Sequence, residues 1–252
     1  MIDTHSHLFA EEFDNDRELC IERLRDVGVN KVIIVGFDYE TNRKAQELAK
    51  KYDIFYPTAG IHPEYANKSY IEDFNELKSF IKENKVYAIG ECGLDYHWSK
   101  EFVDEQKKVF EMQINLAIEN DLPIIIHSRD AIQDTFDILK KYKGKIKGVM
   151  HCYSGSLEMA YEFIKLGLYI SLGGPVTFKN AKEPKRVAES IDLSNLLIET
   201  DCPYLAPMPY RGKRNESAYV KYVCEQISLI KNTTFEEVER ITTENAVKLF
   251  KI

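Results

Sequence analysis

The sequence predicts a (β/α)8 TIM barrel of the α/β class, formed by residues 1–252 as one domain. Three observations predict it. Eight short apolar runs alternate with segments of helical period, the length of 252 residues suits such a barrel, and metal-binding side chains recur at the ends of the predicted strands. A doubly wound open sheet would carry a Gly-rich phosphate turn after its first strand, where this chain has His5-Ser-His7.

The first predicted strand, Ile2–His5, leads into His5 and His7, which the two-residue period of a strand turns to the same side. Helix Arg17–Val27 follows. The second strand, Lys31–Val35, is continuous and β-branched, as expected for a strand covered on both faces, and precedes helix Thr41–Lys51. Strand Ile54–Gly60 runs toward His62 and Pro63, then helix Ile71–Glu83. Strand Val86–Glu91 pairs with helix Val103–Asn120, strand Pro123–His127 with helix Ala131–Tyr142, and strand Lys147–His151 with helix Leu157–Leu166. Strand Tyr169–Leu172 precedes helix Pro184–Ile191, and strand Leu196–Thr200 precedes Asp201. Helices Ala218–Lys231 and Phe235–Phe250 close the chain, the last introduced by a capping box, Thr233-Thr-Phe-Glu236, with Thr233 as the cap.

Apolar residues make up 44% of the chain, enough for a sizeable core, and charged residues 30%. Lys and Arg number 34 against 41 Asp and Glu, a net charge of −7, so no basic footprint for nucleic acid exists at the level of the whole chain. Bound divalent ions would reverse the sign locally wherever carboxylates gather. The five cysteines are read as free thiols in a reducing, cytoplasmic compartment, with no leader and no membrane span. Cys92, Cys152 and Cys202 each follow a candidate ligand, and strand parity turns them away from it into packing positions. No obligate protein partner is evident.

His5 and His7 lie at the end of the first strand, Glu91 ends the fourth, His127 the fifth and His151 the sixth, and Asp201 follows the eighth. A closed barrel gathers all carboxyl strand ends on one rim. Four imidazoles and two carboxylates there suit two divalent ions (Zn2+, Mg2+ or Mn2+) that activate hydroxide for attack on phosphorus or on a carbonyl. Asp201 is the candidate to accept the proton. His62 is either a phosphate contact or a cap, and Arg129 either a phosphate clamp or the partner of Asp130 or Asp95. Lys179, Lys182, Lys185 and Arg186 follow the seventh strand, and Arg211, Lys213 and Arg214 the eighth; both groups are either substrate contacts or a solvated face. His97 and Trp98 either stack on a base or pack within their loop.

Six ordered motifs carry a resemblance that runs the length of the chain: Gly60-Ile-His-Pro63, Gly90-Glu-Cys-Gly-Leu-Asp-Tyr96, His127-Ser-Arg-Asp-Ala131, His151-Cys-Tyr-Ser-Gly155, Gly173-Gly-Pro-Val-Thr-Phe-Lys-Asn180 and Glu199-Thr-Asp-Cys-Pro-Tyr-Leu-Ala-Pro207, the last followed by Arg211-Gly-Lys-Arg-Asn-Glu216. Together they resemble the TatD family of metal-dependent deoxyribonucleases, in the amidohydrolase superfamily. Ser217 departs from the family, which usually has Pro there. The resemblance implies that His5, His7 and Asp201 hold one metal, that His127 and His151 hold the other, and that Glu91 bridges them. It also implies a DNA substrate, digested from the 3′ end of single strands or at nicked ends. A metal-dependent amide or ester hydrolase of a small molecule is the alternative enzyme, and a non-catalytic metal-stabilised scaffold the alternative outside enzymes.

Overall fold

A computed structural model describes residues 1–252. Eight parallel strands alternate with helices: β1 Ile2–Ser6, β2 Lys31–Val35, β3 Phe55–Thr58, β4 Ile89–Asp95, β5 Ile124–Arg129, β6 Gly148–Met150, β7 Leu168–Leu172 and β8 Leu196–Ile198. The helices are α1 Arg17–Asp26, α2 Tyr39–Lys51, α3 Tyr70–Glu83, α4 Val103–Glu119, α5 Ile132–Lys140, α6 Leu157–Lys165, α7 Lys182–Ser190, α8 Val220–Lys231 and α9 Phe235–Phe250. The strands form two arcs, β1-β2-β3 and β4-β5-β6-β7-β8, which meet at two seams through the single bridges Ala59–Ile89 and Ser6–Cys202. The result is the predicted TIM barrel. No helix is long and apolar enough to cross a membrane.

Two apolar cores follow from strand alternation. Inside the barrel, Ile2, Ile33, Val35, Ala88, Ile125, Val149 and Leu197 pack together, and α9 plugs the amino end with Ala246, Leu249 and Phe250. Outside, a cluster of 56 buried residues joins strands to the helical ring. Thr234, not Thr233, caps α9: its side chain accepts from the Glu237 N–H, because the first helical residue is Phe235. The Thr-Thr pair offers both registers of the box, and helix phase selects the second.

Strands β1 and β4 depart from regular register in a way that builds the rim. In β4, Ile89 and Cys92 both face the outer core although three residues apart, and the register to β5 shifts between them. That irregularity turns Glu91 inward, out of phase with Ala88. A similar shift lies between Asp3 and Ser6 in β1. His5, within the shift, and His7, beyond it, belong to the rim. Gly93 lets β4 run close beside β5 here: its φ is +142°, and a Cβ would stand 2.0 Å from the His127 carbonyl oxygen.

Candidate metal centre

Glu91 lies at the centre of the carboxyl rim, buried, with each oxygen facing a different pair of imidazoles. Its Oε2 is 3.2 Å from His5 Nε2 and 3.8 Å from His7 Nε2. Its Oε1 is 3.0 Å from His127 Nδ1 and 2.9 Å from His151 Nε2. Asp201 Oδ1 joins the first pair, 3.8 Å from His5 Nε2 and 3.5 Å from His7 Nε2. The six residues singled out from the sequence therefore converge, in two groups of three donors whose atoms lie within 4.8 Å of one another: His5, His7 and Asp201, then Glu91, His127 and His151.

Strand ends need correction. Glu91 and His127 do not end their strands: β4 continues to Asp95 and β5 to Arg129, paired through Gly93–His127, Leu94–Ser128 and Asp95–Arg129. A barrel mouth accepts inward polar residues that elsewhere would mark the end of a strand.

Hydrogen bonds fix which nitrogen is bare in three of the four rings. His7 Nδ1 donates to the Val35 carbonyl at 2.8 Å, so Nε2 carries the lone pair. His127 Nε2 meets Asp95 Oδ2 at 2.8 Å, freeing Nδ1, and His151 Nδ1 meets Glu199 Oε1 at 3.2 Å, freeing Nε2. All three bare nitrogens point at Glu91 or Asp201. Nε2 of His5 lies 3.2 Å from that of His7, while its buried Nδ1 has no partner at all. Bare imidazole nitrogens and carboxylates converging on two small volumes, with a polar atom left over, fit a pair of divalent cations.

Asp95 and Glu199 are the site residues that sequence reasoning missed. Glu199 also accepts the Cys152 N–H at 2.6 Å, and Asp95 Oδ1 accepts the His97 N–H at 2.9 Å. Even spacing was the available signal: Asp95 stands four residues after Glu91, and Glu199 two before Asp201.

The charges of the site support one another. Burial opposes ionisation of Glu91, but the imidazoles of His151 and His5 outweigh it and hold the carboxyl well below its usual range. Burial likewise opposes the Asp201 carboxylate, and His7 with the other imidazoles overcomes it. For His127 and His151, burial disfavours the cation, yet Asp95, Glu199 and Glu91 outweigh it and make both rings more basic. His5 goes the other way, pushed down by burial and by neighbouring His151.

His62 is the cap of its turn and also faces the rim. Its Nδ1 accepts the Glu64 N–H at 3.2 Å, capping the short 3-10 helix Pro63–Tyr65, while Nε2 lies 3.6 Å from Glu91 Oε1. Burial pushes its pKa down to about 3, leaving a neutral ring whose proton sits on Nε2.

Asp201 follows β8 with φ +57°, a left-handed backbone uncommon outside Gly, Asn and Asp. Asn215 clamps that turn, donating to the carbonyls of Thr200 and Tyr204 at 2.7 Å each, and the Asp201 N–H reaches His5 O at 2.9 Å.

The basic residues divide into free and engaged. Arg214 is not a free substrate contact. It grips Asp16 of the α1 approach at 2.6 and 2.7 Å and the Glu12 carbonyl at 2.6 Å. Arg186 pairs with Glu158 at 2.6 Å. Arg129 does not pair with Asp95 or Asp130, which are held by His127 and His97; its guanidinium lies over the Trp98 ring, 5.3 Å from the centroid. Trp98 meets the ring of its loop neighbour His97 edge to face, centroids 4.9 Å apart, yet is 68% exposed. Lys179, Lys182, Arg211 and Lys213 remain exposed, Arg211 lying 4.3 Å over the Phe178 ring. All five cysteines are free, and Cys152 alone is not fully buried.

Comparison with known proteins identifies the family. The sequence profile of the family described as TatD related DNase matches residues 2–251. The chain is 52% identical to the uncharacterized metal-dependent hydrolase YabD of Bacillus subtilis, over all of this chain and 99% of that protein. It is 33% identical to the 3′-5′ ssDNA/RNA exonuclease TatD of Cronobacter sakazakii, over 99% of this chain and 97% of that one. A crystal structure of the TatD homologue YjjV from Escherichia coli superposes with a TM-score of 0.94 at 29% identity, covering 100% of this chain and 98% of the other. With its barrel, its histidine- and carboxylate-lined rim and this match from end to end, the chain belongs to the TatD-related DNase family of metal-dependent hydrolases.

Proposed function

We propose that the protein is a phosphodiesterase that removes nucleotides from the 3′ end of single-stranded DNA, using two divalent ions held by its rim. The observation that carries this reading is Glu91, one oxygen toward His5 and His7, the other toward His127 and His151. A carboxylate so placed suits a bridge, with His5, His7 and Asp201 completing one site and His127 and His151 the other. When bound, the ions lower the pKa of water and offset charge on the phosphoryl oxygens. Two imidazoles at each site favour Zn2+ or Mn2+ over Mg2+, which prefers oxygen ligands.

The chain's own groups then have separable tasks. Asp201, ionised and beside the first pair, accepts the proton of the attacking water and returns it to the leaving alcohol. His62 presents the Nε2 proton of a neutral ring toward a non-bridging phosphate oxygen. Asp95 and Glu199 fix the tautomers and directions of His127 and His151. Exposed Lys179, Arg211 and Lys213 offer phosphate contacts that partly offset the net charge of −7. The exonuclease activity by which the Cronobacter relative is named supports a single-stranded substrate.

The test is a screen of metal-reconstituted protein on single-stranded DNA, duplex DNA, RNA and small phosphoester, ester and amide substrates. Release of mononucleotides from 3′ ends is expected. Turnover of amides or esters with no nucleic acid touched under Zn2+, Mn2+ or Mg2+ would make the protein a small-molecule hydrolase.

A further inference from the structure

A single carboxylate ties the centre to an unused aromatic surface. Asp95 Oδ2 bonds His127 at 2.8 Å, and its Oδ1 accepts the backbone N–H of His97, the residue before Trp98. His97 is also braced from outside, its Nδ1 3.1 Å from Asp130 Oδ2. The turn that presents Trp98 is thereby fixed to the same group that orients a rim imidazole. Strand parity brings Arg129 to this side, since it stands two residues after His127 in β5. Its guanidinium is over the Trp98 ring, and no carboxylate pairs with it.

Trp98 is 68% exposed on a protein that buries most of its large apolar groups. Arg129 covers one face of the indole. A flat ring in this position, with a cation available beside the rim, matches the chemistry of an unstacked nucleobase and its phosphate. A small ester or amide would need neither.

We infer that Trp98 and Arg129 form a nucleobase platform, on which an unpaired base of the substrate strand stacks while the adjoining phosphate meets the guanidinium. This deepens the proposed function and rests on it: the platform explains how a rim that binds phosphate would prefer a single strand, whose bases are free to splay, over a duplex. Base–aromatic stacking is sequence-tolerant, so the platform selects strandedness rather than sequence.

Trp98 is the only tryptophan in the chain, so fluorescence excited beyond the tyrosine absorption band reports this position alone. Metal-loaded protein carrying Asp201→Asn is titrated with a short oligothymidylate, and anisotropy of a dye-labelled copy of the same strand reports binding independently. The expected result is quenching that saturates with the anisotropy and disappears when one particular nucleotide is replaced by an abasic residue. In otherwise wild-type enzyme, Trp98→Ala should raise KM for the strand about 5- to 100-fold beyond any change on bis(p-nitrophenyl) phosphate, with Trp98→Phe recovering most of it. Binding without quenching, quenching indifferent to every abasic position, or equal losses on strand and small phosphodiester would overturn the platform and leave the proposed activity standing. No binding of the strand under any of the three metals would overturn both.

Discussion

The two sides of the candidate centre meet the same need for negative charge differently. On the β1–β8 side, His5 and His7 are backed only by a carbonyl, Val35 O, or by nothing, and the carboxylate that complements Glu91 is Asp201, placed among the donors themselves. On the β4–β6 side, no second carboxylate stands among the donors. Asp95 and Glu199 sit one bond behind, gripping His127 and His151. A carboxylate held behind an imidazole raises its basicity and locks its direction. One among the donors can also exchange a proton with a reacting water. On the proposed reading, the first side serves proton transfer and the second rigid holding.

Removing what the sides share should have the largest effect. Glu91→Ala is expected to strip more bound metal than any other single ligand change, because it removes charge from both sides; elemental analysis of purified variants checks it. If that variant keeps two ions per chain while His127→Ala loses them, the comparison has no common centre. Next, Asp201→Asn should leave the fold intact and lower kcat on the order of 10²-fold or more. Near-normal turnover in a metal-loaded variant would move the proton acceptor to the other side. Glu199→Gln and Asp95→Asn should each weaken metal binding or activity about 10- to 100-fold, read by competition with a chelating dye. Effects larger than that of Asp201→Asn on kcat would invert the assignment.

Farther out, neutralising Arg211 and Lys213 together should flatten the log–log salt dependence of single-strand binding, by roughly 0.7 for each phosphate the two side chains engage. The smallest effect belongs to the brace behind the β8 side. Asp16 is held down to about 2 by Arg214, against 3.8 ordinarily. Its folded form therefore takes up a proton less readily than its unfolded form, so the pair stabilises fully above about pH 4 and loses that contribution as pH falls toward 2. Asp16→Asn should cost about 1 kcal/mol or less at pH 7, with the gap in Tm narrowing near pH 3.

Much of this was legible in the residues. The eight apolar runs gave the barrel, and the polar residues interrupting them gave the six donors. Phase changes within strands were not legible. Alternation read from Ala88 turns Glu91 away from the barrel interior, and only the register shift between Ile89 and Cys92 restores it. Partners distant in sequence were equally hidden. Nothing near Arg214 in the chain announces Asp16, nor anything near Arg186 its partner Glu158, so both arginines read as free cations. From the sequence alone, Asp95 reads only as a possible partner of Arg129, and Glu199 only as part of the last motif, because their partners His127 and His151 are distant in the chain.

The seams of the barrel have a mechanical consequence. Within each arc, neighbouring strands share a ladder, whereas the arcs join through the bridges Ala59–Ile89 and Ser6–Cys202 and a few hydrogen bonds beside them, among them Gly90 N–H to Ala59 O and His7 N–H to Cys202 O, 2.9 Å each. Glu91 belongs to the long arc, His5 and His7 to the short one, and Asp201 lies in the second seam, its N–H on His5 O at 2.9 Å. An ion gripped by these residues would be a rivet across the gap, resisting separation of the arcs. By mass action such a rivet adds about 2.7 kcal/mol when free ion is at roughly a hundred times its Kd. Chelation should then do more than silence the rim: it should lower Tm and hasten hydrogen exchange first at the amides of His7, Ala59 and Gly90, where short runs of hydrogen bonds rather than full ladders close the barrel.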